Sequence, residues 1–251
     1  MDARIERLMQ EGRARRAPTC FFEVDAELSL SRRVLAEGLG SLLLMSVVSG
    51  ASIAGSQLFA ADSGFKVIVG GLAISGALLG LIITFGAVSG GHFNPLITVL
   101  QWAARERSAR CTLWYVGAQI SGALCGAGLA RFIFVAPPAV PKVLLENSSS
   151  LLLSEMTATA GLMIVVFGCA RSGRRDTGPI AVAAWLLASI IVMPSGSYAN
   201  PAVSLGALVS TGPVVLSPAL SIAYVLVEVM GAVAAFGLIS VTHPLRNSAR
   251  I

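Results

Sequence analysis

Long apolar runs alternate along the chain with short polar stretches that carry Pro, Gly and Arg. Six of the runs are close to the ~20 residues that an α-helix needs to cross a bilayer. Two shorter runs, each opened by Asn-Pro, have about ten residues and reach roughly half of a ~30 Å hydrocarbon core. The pattern therefore predicts six spans and two segments that enter without crossing. The predicted spans are 34–60, 65–86, 112–135, 151–170, 178–193 and 218–241.

Composition agrees with a membrane protein. Of the 251 residues, 55% are hydrophobic and 12% are charged, whereas soluble domains average about 45–50% and about 25%. We therefore predict an all-α membrane protein with a single bundle of spans at 34–242. Residues 1–33 mix Arg with Glu and predict a solvated tail rather than a signal peptide, which would carry an apolar stretch after its basic one. Residues 243–251 form a second predicted tail.

The distribution of cations predicts the orientation of the bundle. Seven of the 18 Lys and Arg residues lie in the N-terminal tail, and further Arg clusters occur at 105–110, 171–175 and 246–250. Six spans place all of these on one face, which the positive-inside rule makes cytoplasmic for both termini. The cations left on the opposite face are Lys66, Arg131 and Lys142.

The chain contains an internal repeat, with halves at about 34–135 and 151–242. Glu37 lies early in the first predicted span and Glu155 early in the fourth, and "YVGAQISGA" in the third is echoed by "YVLVEVMGA" in the sixth. Each half has three spans, an odd number, so the halves insert in opposite orientations. An inverted repeat of this kind tends to place its solute site near the bilayer midplane.

The two Asn-Pro pairs have the chemistry of helix starts. Asn favours the N-cap position, and Pro favours the first helical position because its missing N–H needs no partner there. Asn94-Pro95 and Asn200-Pro201 therefore predict two half-helices that meet tip to tip. Their positive dipole ends would disfavour cations at the centre, and the asparagine N–H groups would donate to a passing solute.

Three stretches resemble the aquaporin and aquaglyceroporin (major intrinsic protein) superfamily: "AEGLGSLLL", "SGGHFNPLIT" and "SGSYANPAVSLG". The resemblance implies an hourglass of six transmembrane helices plus two re-entrant half-helices, with an inverted 3+3 repeat, usually as a homotetramer with one pore per subunit. It makes Asn94 and Asn200 pore asparagines and Glu37 and Glu155 buried carboxylates that hold the loop backbones. The pore-loop residues it marks are Gly91, His92, Leu96 and Gly196.

The sequence departs from the family pattern near the expected constriction. Val203 lies three residues after the second pore asparagine, where the family usually carries Arg, and Leu96 replaces Ala in the first motif. Ser204 follows the water-channel pattern, and Glu228 stands where many members have Pro. The filter positions that the resemblance implies are Ile74, Ser197, Val203 and one residue of the window 188–190, assigned to Ala188. No candidate is aromatic or charged, so we expect a wide, apolar filter.

These observations predict a passive channel for small uncharged solutes: water, glycerol-like polyols, urea, and neutral metalloid acids such as arsenite or methylated arsenicals. A coupled secondary transporter using Glu37, Glu155 and Glu228, or a non-conducting structural member, are the alternatives. The two His residues, His92 and His243, form no catalytic constellation, and the four Cys show no metal-ligand spacing. We therefore expect no enzyme activity, cofactor, metal or nucleic-acid partner, and an integral protein of a bacterial inner membrane.

Overall fold

The structure is a computed structural model that describes residues 28–58, 63–134, 141–143 and 148–244. Within these residues the chain forms eight α-helices and one 3₁₀ turn, Gly212–Val214, and its β-structure is a single isolated bridge between Lys142 and Leu216. The helices are α1 (Leu30–Leu58), α2 (Ser63–Ser89), α3 (Pro95–Ala103), α4 (Ala109–Ile133), α5 (Ser149–Arg171), α6 (Gly178–Val192), α7 (Pro201–Gly206) and α8 (Pro218–Thr242).

Over the described residues, five helices are long and apolar enough to cross a membrane, namely α1, α2, α4, α5 and α8. The predicted fifth span corresponds to α6, which has 15 residues and a length of ~22 Å at ~1.5 Å per residue. It ends early because Pro194 follows Met193, and a residue before proline is driven out of the α conformation. Met193 is accordingly extended, and the chain continues without helix to Asn200.

The predicted tails fall for the most part outside the described residues. The exception is the end of the first tail, where α1 begins at Leu30 rather than at residue 34 and so includes Arg32 and Arg33. Arg32 is exposed and Arg33 is partly buried.

Helices pack in the same pairs in the two halves of the chain. In the first half α1 packs against α2 and α4, and in the second half α5 packs against α6 and α8. Glycines permit the closest crossings, since a β-carbon at Gly122 would collide with the carbonyl of Gly38, and one at Gly231 would collide with the carbonyl of Met156. Small residues at helix crossings are the usual means of close packing in lipid.

The half-helices α3 and α7 are too short to cross, and both lie inside the bundle. Each packs against α4 and α8, one long helix from each half of the chain. Most of the non-helical residues that lead into them are buried in the protein, as irregular backbone at membrane depth requires.

Candidate pore

Each half-helix begins at an Asn-Pro pair. Asn94 and Asn200 are N-caps in extended conformation, and Pro95 and Pro201 are the first helical residues. Each asparagine Oδ1 accepts a hydrogen bond from the second helical N–H, at 3.0 Å in both cases. The caps satisfy one of the orphan N–H groups that a helix start leaves.

The same asparagines link the two loops to each other. Asn94 Nδ2 donates to the carbonyl of Ala199 at 2.9 Å, and Asn200 Nδ2 donates to the carbonyl of Phe93 at 2.8 Å. An amide nitrogen carries two N–H donors, so each asparagine retains one beyond its cross-link. The reciprocal cross-link was not predicted, because the sequence does not show which carbonyl faces which amide.

The backbones of the two loops follow the same unusual path. At four, three and one residues before each pore asparagine, φ is positive. The values are 95°, 62° and 47° for Gly90, Gly91 and Phe93, and 84°, 54° and 44° for Gly196, Ser197 and Ala199. Three of these are not glycine, and a left-handed residue with a side chain costs roughly 1–2 kcal/mol. Other contacts must therefore hold the loops in place.

Glu37 holds the first loop. Its carboxylate is completely buried and accepts four hydrogen bonds: from the backbone N–H of His92 (3.0 Å) and Phe93 (2.8 Å), from Ser89 Oγ (2.6 Å) and from Gln119 Nε2 (2.7 Å). The two backbone donors flank the turn into α3. This carboxylate therefore fixes the path of the chain immediately before Asn94.

In the second loop two carboxyl groups accept the corresponding backbone hydrogen bonds. Glu155 accepts from the N–H groups of Tyr198 and Ala199. Glu228 Oε1 accepts from the N–H of Asn200 (3.1 Å) and from Ser204 Oγ (2.7 Å). Glu228 lies beside the Glu155 carboxyl, and its Oε2 accepts no hydrogen bond from the described residues. Glu228 thus takes the place that Gln119 has beside Glu37.

A cavity of about 450 Å³ runs past both asparagines. Along α2 it is lined by Lys66, Gly70, Ile74, Leu78 and Ile82, which are successive turns of one face. The separation of 16 residues between Lys66 and Ile82 corresponds to ~24 Å at ~1.5 Å per residue. The cavity therefore extends along the bundle. We call the end at Lys66, where α2 begins, the lysine end.

Most of the predicted filter residues line this cavity. Ile74, Ser197 and Val203 do so, but the assignment of Ala188 is corrected: Ala188 is exposed, and Ile190 lines the cavity instead. On α6 the lining residues are Val182, Leu186 and Ile190, which are four apart. Ala188 is two residues from the nearest of them and so faces the other way, since successive helical residues are ~100° apart.

The remaining pore-loop residues divide between the cavity and the core. Gly91, His92 and Gly196 line the cavity. Leu96 is buried in the hydrophobic core, so its extra bulk relative to alanine is accommodated by packing. His92 Nδ1 lies 2.9 Å from Thr98 Oγ1, and its Nε2 has no hydrogen-bond partner among the described residues.

Two lysines at the lysine end were not predicted as site residues. Lys66 and Lys142 both line the cavity. Lys142 lies between α4 and α5, and its Nζ is 5.5 Å from the ring centroid of Tyr198. Burial lowers the pKa of the Lys142 ammonium, and the nearby Glu155 carboxyl opposes that effect. The signal in the sequence was that Lys66 and Lys142 are among the few cations on the face opposite the basic clusters.

Comparison with known proteins identifies the family. Residues 25–194 match the sequence model of a family that is described as "Major intrinsic protein". The chain belongs to the major intrinsic protein family. This member is 31% identical to the protein named Aquaglyceroporin AqpS of Rhizobium meliloti (strain 1021) over 212 residues, which cover 84% of this chain and 90% of that protein. It is 34% identical to Aquaporin-4 of Homo sapiens over 145 residues, which cover 53% of this chain and 44% of that protein.

The fold of this major intrinsic protein is also found among solved structures. The X-ray structure of the aquaglyceroporin from Plasmodium falciparum superposes with a TM-score of 0.66 at 18% identity, and the match covers 85% of this chain and 97% of that one. The predicted aquaporin-like helical bundle is confirmed. The protein is an integral membrane channel through which water or other small solutes pass passively, and it is not an enzyme.

Proposed function

We propose that this channel conducts small uncharged solutes larger than water, together with water itself. The solutes are glycerol-like polyols, urea, and neutral metalloid acids such as arsenite or methylated arsenicals. The proposed constriction is formed by Ile74, Ile190, Ser197 and Val203, and the solute passes between Asn94 and Asn200. The relative named Aquaglyceroporin AqpS supports a polyol-sized cargo.

The observation that carries the proposal is the lining around Val203. Val203 faces the cavity together with Ile74 and Ile190, so the position where the family usually carries Arg is apolar. An Arg there would narrow the passage and repel cations. Branched aliphatic side chains instead suit the C–H surface of a polyol, while the second N–H of each pore asparagine is able to donate to its hydroxyl oxygens.

The family and the distribution of charge support the remaining parts of the proposal. We propose that Glu37 and Glu155 act as structural anchors of the loops and that the half-helix dipoles disfavour cations at the centre. The proposed channel domain is 34–242, with repeats at about 34–135 and 151–242. We further propose a homotetramer in a bacterial inner membrane, with both termini and the predicted tails 1–33 and 243–251 in the cytoplasm.

The test is a solute panel in proteoliposomes: water, glycerol, urea, arsenite and methylated arsenicals, followed by light scattering or uptake. Val203→Arg should lower glycerol permeability by at least roughly tenfold, because a pocket contact of one or two side-chain groups is worth about 1–3 kcal/mol of discrimination. Water permeability should fall much less. Val203→Leu, which adds bulk without charge, is the matched control.

Other results would redirect the proposal. An unchanged glycerol-to-water ratio in Val203→Arg would remove Val203 from the constriction. Water flux without glycerol flux in the wild-type protein would contradict the wide filter. Uptake that requires a proton gradient would favour a coupled transporter, and well-folded protein without any flux would favour a structural member.

A further inference from the structure

We propose that Lys142 supplies the cation that Val203 does not, and that it determines the charge selectivity of the channel. This inference rests on the proposed function in that it takes the cavity as the conducting path. Lys142 belongs to the connection between α4 and α5, far from Val203 in sequence, yet both residues line the same cavity.

The backbone of Lys142 is fixed to the segment that precedes α8. Its N–H donates to the carbonyl of Val215, and its own carbonyl accepts from the N–H of Ser217, both at 2.9 Å. These two bonds form the isolated bridge to Leu216. A residue held on both sides of its peptide in this way presents its side chain from a defined point at the lysine end.

The ammonium group is also placed by the second pore loop. Lys142 Nζ lies 5.5 Å from the ring centroid of Tyr198, within the range of a cation–π contact. The ring is itself fixed, because Tyr198 Oη donates to the carbonyl of Val214 at 2.7 Å and Tyr198 N–H donates to Glu155 at 3.3 Å. Tyr198 follows the proposed filter residue Ser197 in sequence, and both line the same cavity as Lys142.

Among the described residues, two groups act on this ammonium, and a second lysine shares its end of the cavity. Tyr198 lies on the second loop, the Glu155 carboxyl of α5 acts on the ammonium through space, and Lys66 of α2 lines the same end of the cavity. Glu155 is buried, is bonded to the loop N–H groups and does not line the cavity. Among the described residues, the charged side chains that line this end of the cavity are therefore lysines, and positive charges in a confined mouth repel cations more strongly than in bulk water.

A lysine gives this barrier a property that an arginine would lack. Arginine keeps its charge at every accessible pH, whereas lysine loses its charge when burial lowers its pKa. The protein around the ammonium lowers the pKa of Lys142, although the residue keeps an exposed surface, so the cation is present at low pH and is lost as pH rises through that lowered value. Exclusion of cations should therefore weaken at alkaline pH in this channel.

Urea and guanidinium ion make a matched pair of probes, since both are small and planar and only guanidinium is charged throughout the tested range. We would compare uptake of the two labelled compounds into proteoliposomes that contain Lys142→Met, Lys142→Arg, Lys66→Met or the wild-type protein. Lys142→Met should admit guanidinium about tenfold faster, the change that follows when a charge barrier falls by about 1.4 kcal/mol. Its urea and water permeabilities should stay close to wild type.

The control variants separate the effect of Lys142 itself from the effect of any positive charge at the lysine end. Lys142→Arg should exclude guanidinium as well as the wild type does, and Lys66→Met should admit it less than Lys142→Met does. Between pH 7 and pH 10, guanidinium uptake should rise for the wild type and stay flat for Lys142→Arg and Lys142→Met.

Unchanged guanidinium uptake in Lys142→Met, with water flux intact, would overturn the proposal, and so would equal effects of Lys142→Met and Lys66→Met. A wild-type protein that passes water but neither glycerol nor urea would contradict the proposed cargo alone. In that case guanidinium uptake measured against water flux still decides the role of Lys142.

Discussion

The two pore loops share one backbone but are anchored by different chemistry. Positive φ occurs at the same three offsets before Asn94 and before Asn200, and both asparagines cap their half-helices in the same way. The first loop is held by a carboxylate and an amide, Glu37 and Gln119. The second is held by two carboxyl groups, Glu155 and Glu228.

This difference shows that loop shape and loop anchoring are separable. The shape follows from the Asn-Pro start and from the requirement to turn a chain inside a bundle. The anchor must only accept the N–H groups of the turn, which either arrangement does. Two buried carboxyl groups side by side are stable when one of them carries a proton. The second anchor therefore requires a bound proton, and the first anchor does not.

The largest effect should come from removing an anchor. Glu37→Ala leaves four buried donors without their acceptor, and losing one partner of a buried charged network costs about 3–5 kcal/mol. Glu155→Ala removes two backbone bonds and the bond from the Ser195 side chain while Glu228 remains, so it should cost less. Thermal unfolding in detergent, followed by size-exclusion chromatography, measures the difference. Equal loss of stability in the two variants would show that the anchors are equivalent after all.

Exchanging the second member of each anchor should have an intermediate effect. Gln119→Glu removes the amide that donates to Glu37 and Thr98 and adds a second carboxyl, so it should destabilise by about 1.5–3 kcal/mol, the value of a hydrogen bond to a charged group.

Glu228→Gln makes the reverse change and supplies a donor beside Glu155, although it weakens the bond to Ser204. It should be neutral or stabilising at neutral pH in the same unfolding assay. A strongly destabilised Glu228→Gln protein would mean that the second carboxyl is required for the loop.

The smallest effect concerns the third residue before each pore asparagine. Gly91→Ser places a side chain at positive φ, where its Cβ would lie 3.3 Å from Ile82 Cα, and should cost at least about 1 kcal/mol. Ser197→Gly relieves the same backbone strain but loses the 2.8 Å bond to Ser189, so its net effect should be within about 1 kcal/mol of zero. The change in stability of Ser197→Gly need not have the opposite sign to that of Gly91→Ser. A Gly91→Ser protein as stable as wild type would contradict the crowding around Gly91.

The sequence predicted what depends on local chemistry. Asn-Pro marks a helix start within a few residues, so the first residues of α3 and α7 could be named, and apolar length located the long helices. Pro194 also contained the signal that ends α6 early, but its effect on the span was not recognised. The sequence leaves the filter residue open within 188–190, with Ala188 assigned, because the rotation of a helix about its axis relative to a cavity is not visible without the neighbouring helices.

Lys142 was missed for a related reason. Its role depends on where a connection between helices is fastened, and the fastening is made to Val215 and Ser217, more than seventy residues later. Nothing in the residues next to Lys142 indicates that partner. Sequence patterns predict which segments are buried more readily than which distant segments are hydrogen-bonded to each other.

The reciprocal asparagine bonds have a consequence for the origin and assembly of such a chain. Each half supplies the amide that occupies a carbonyl of the other half, Asn94 to Ala199 and Asn200 to Phe93. A single half would leave its own loop carbonyl and its own amide both exposed inside a membrane, where no water replaces the missing partner. The smallest unit in which both of these hydrogen bonds form is therefore two halves facing in opposite directions. The halves can be joined in one polypeptide or meet as separate molecules.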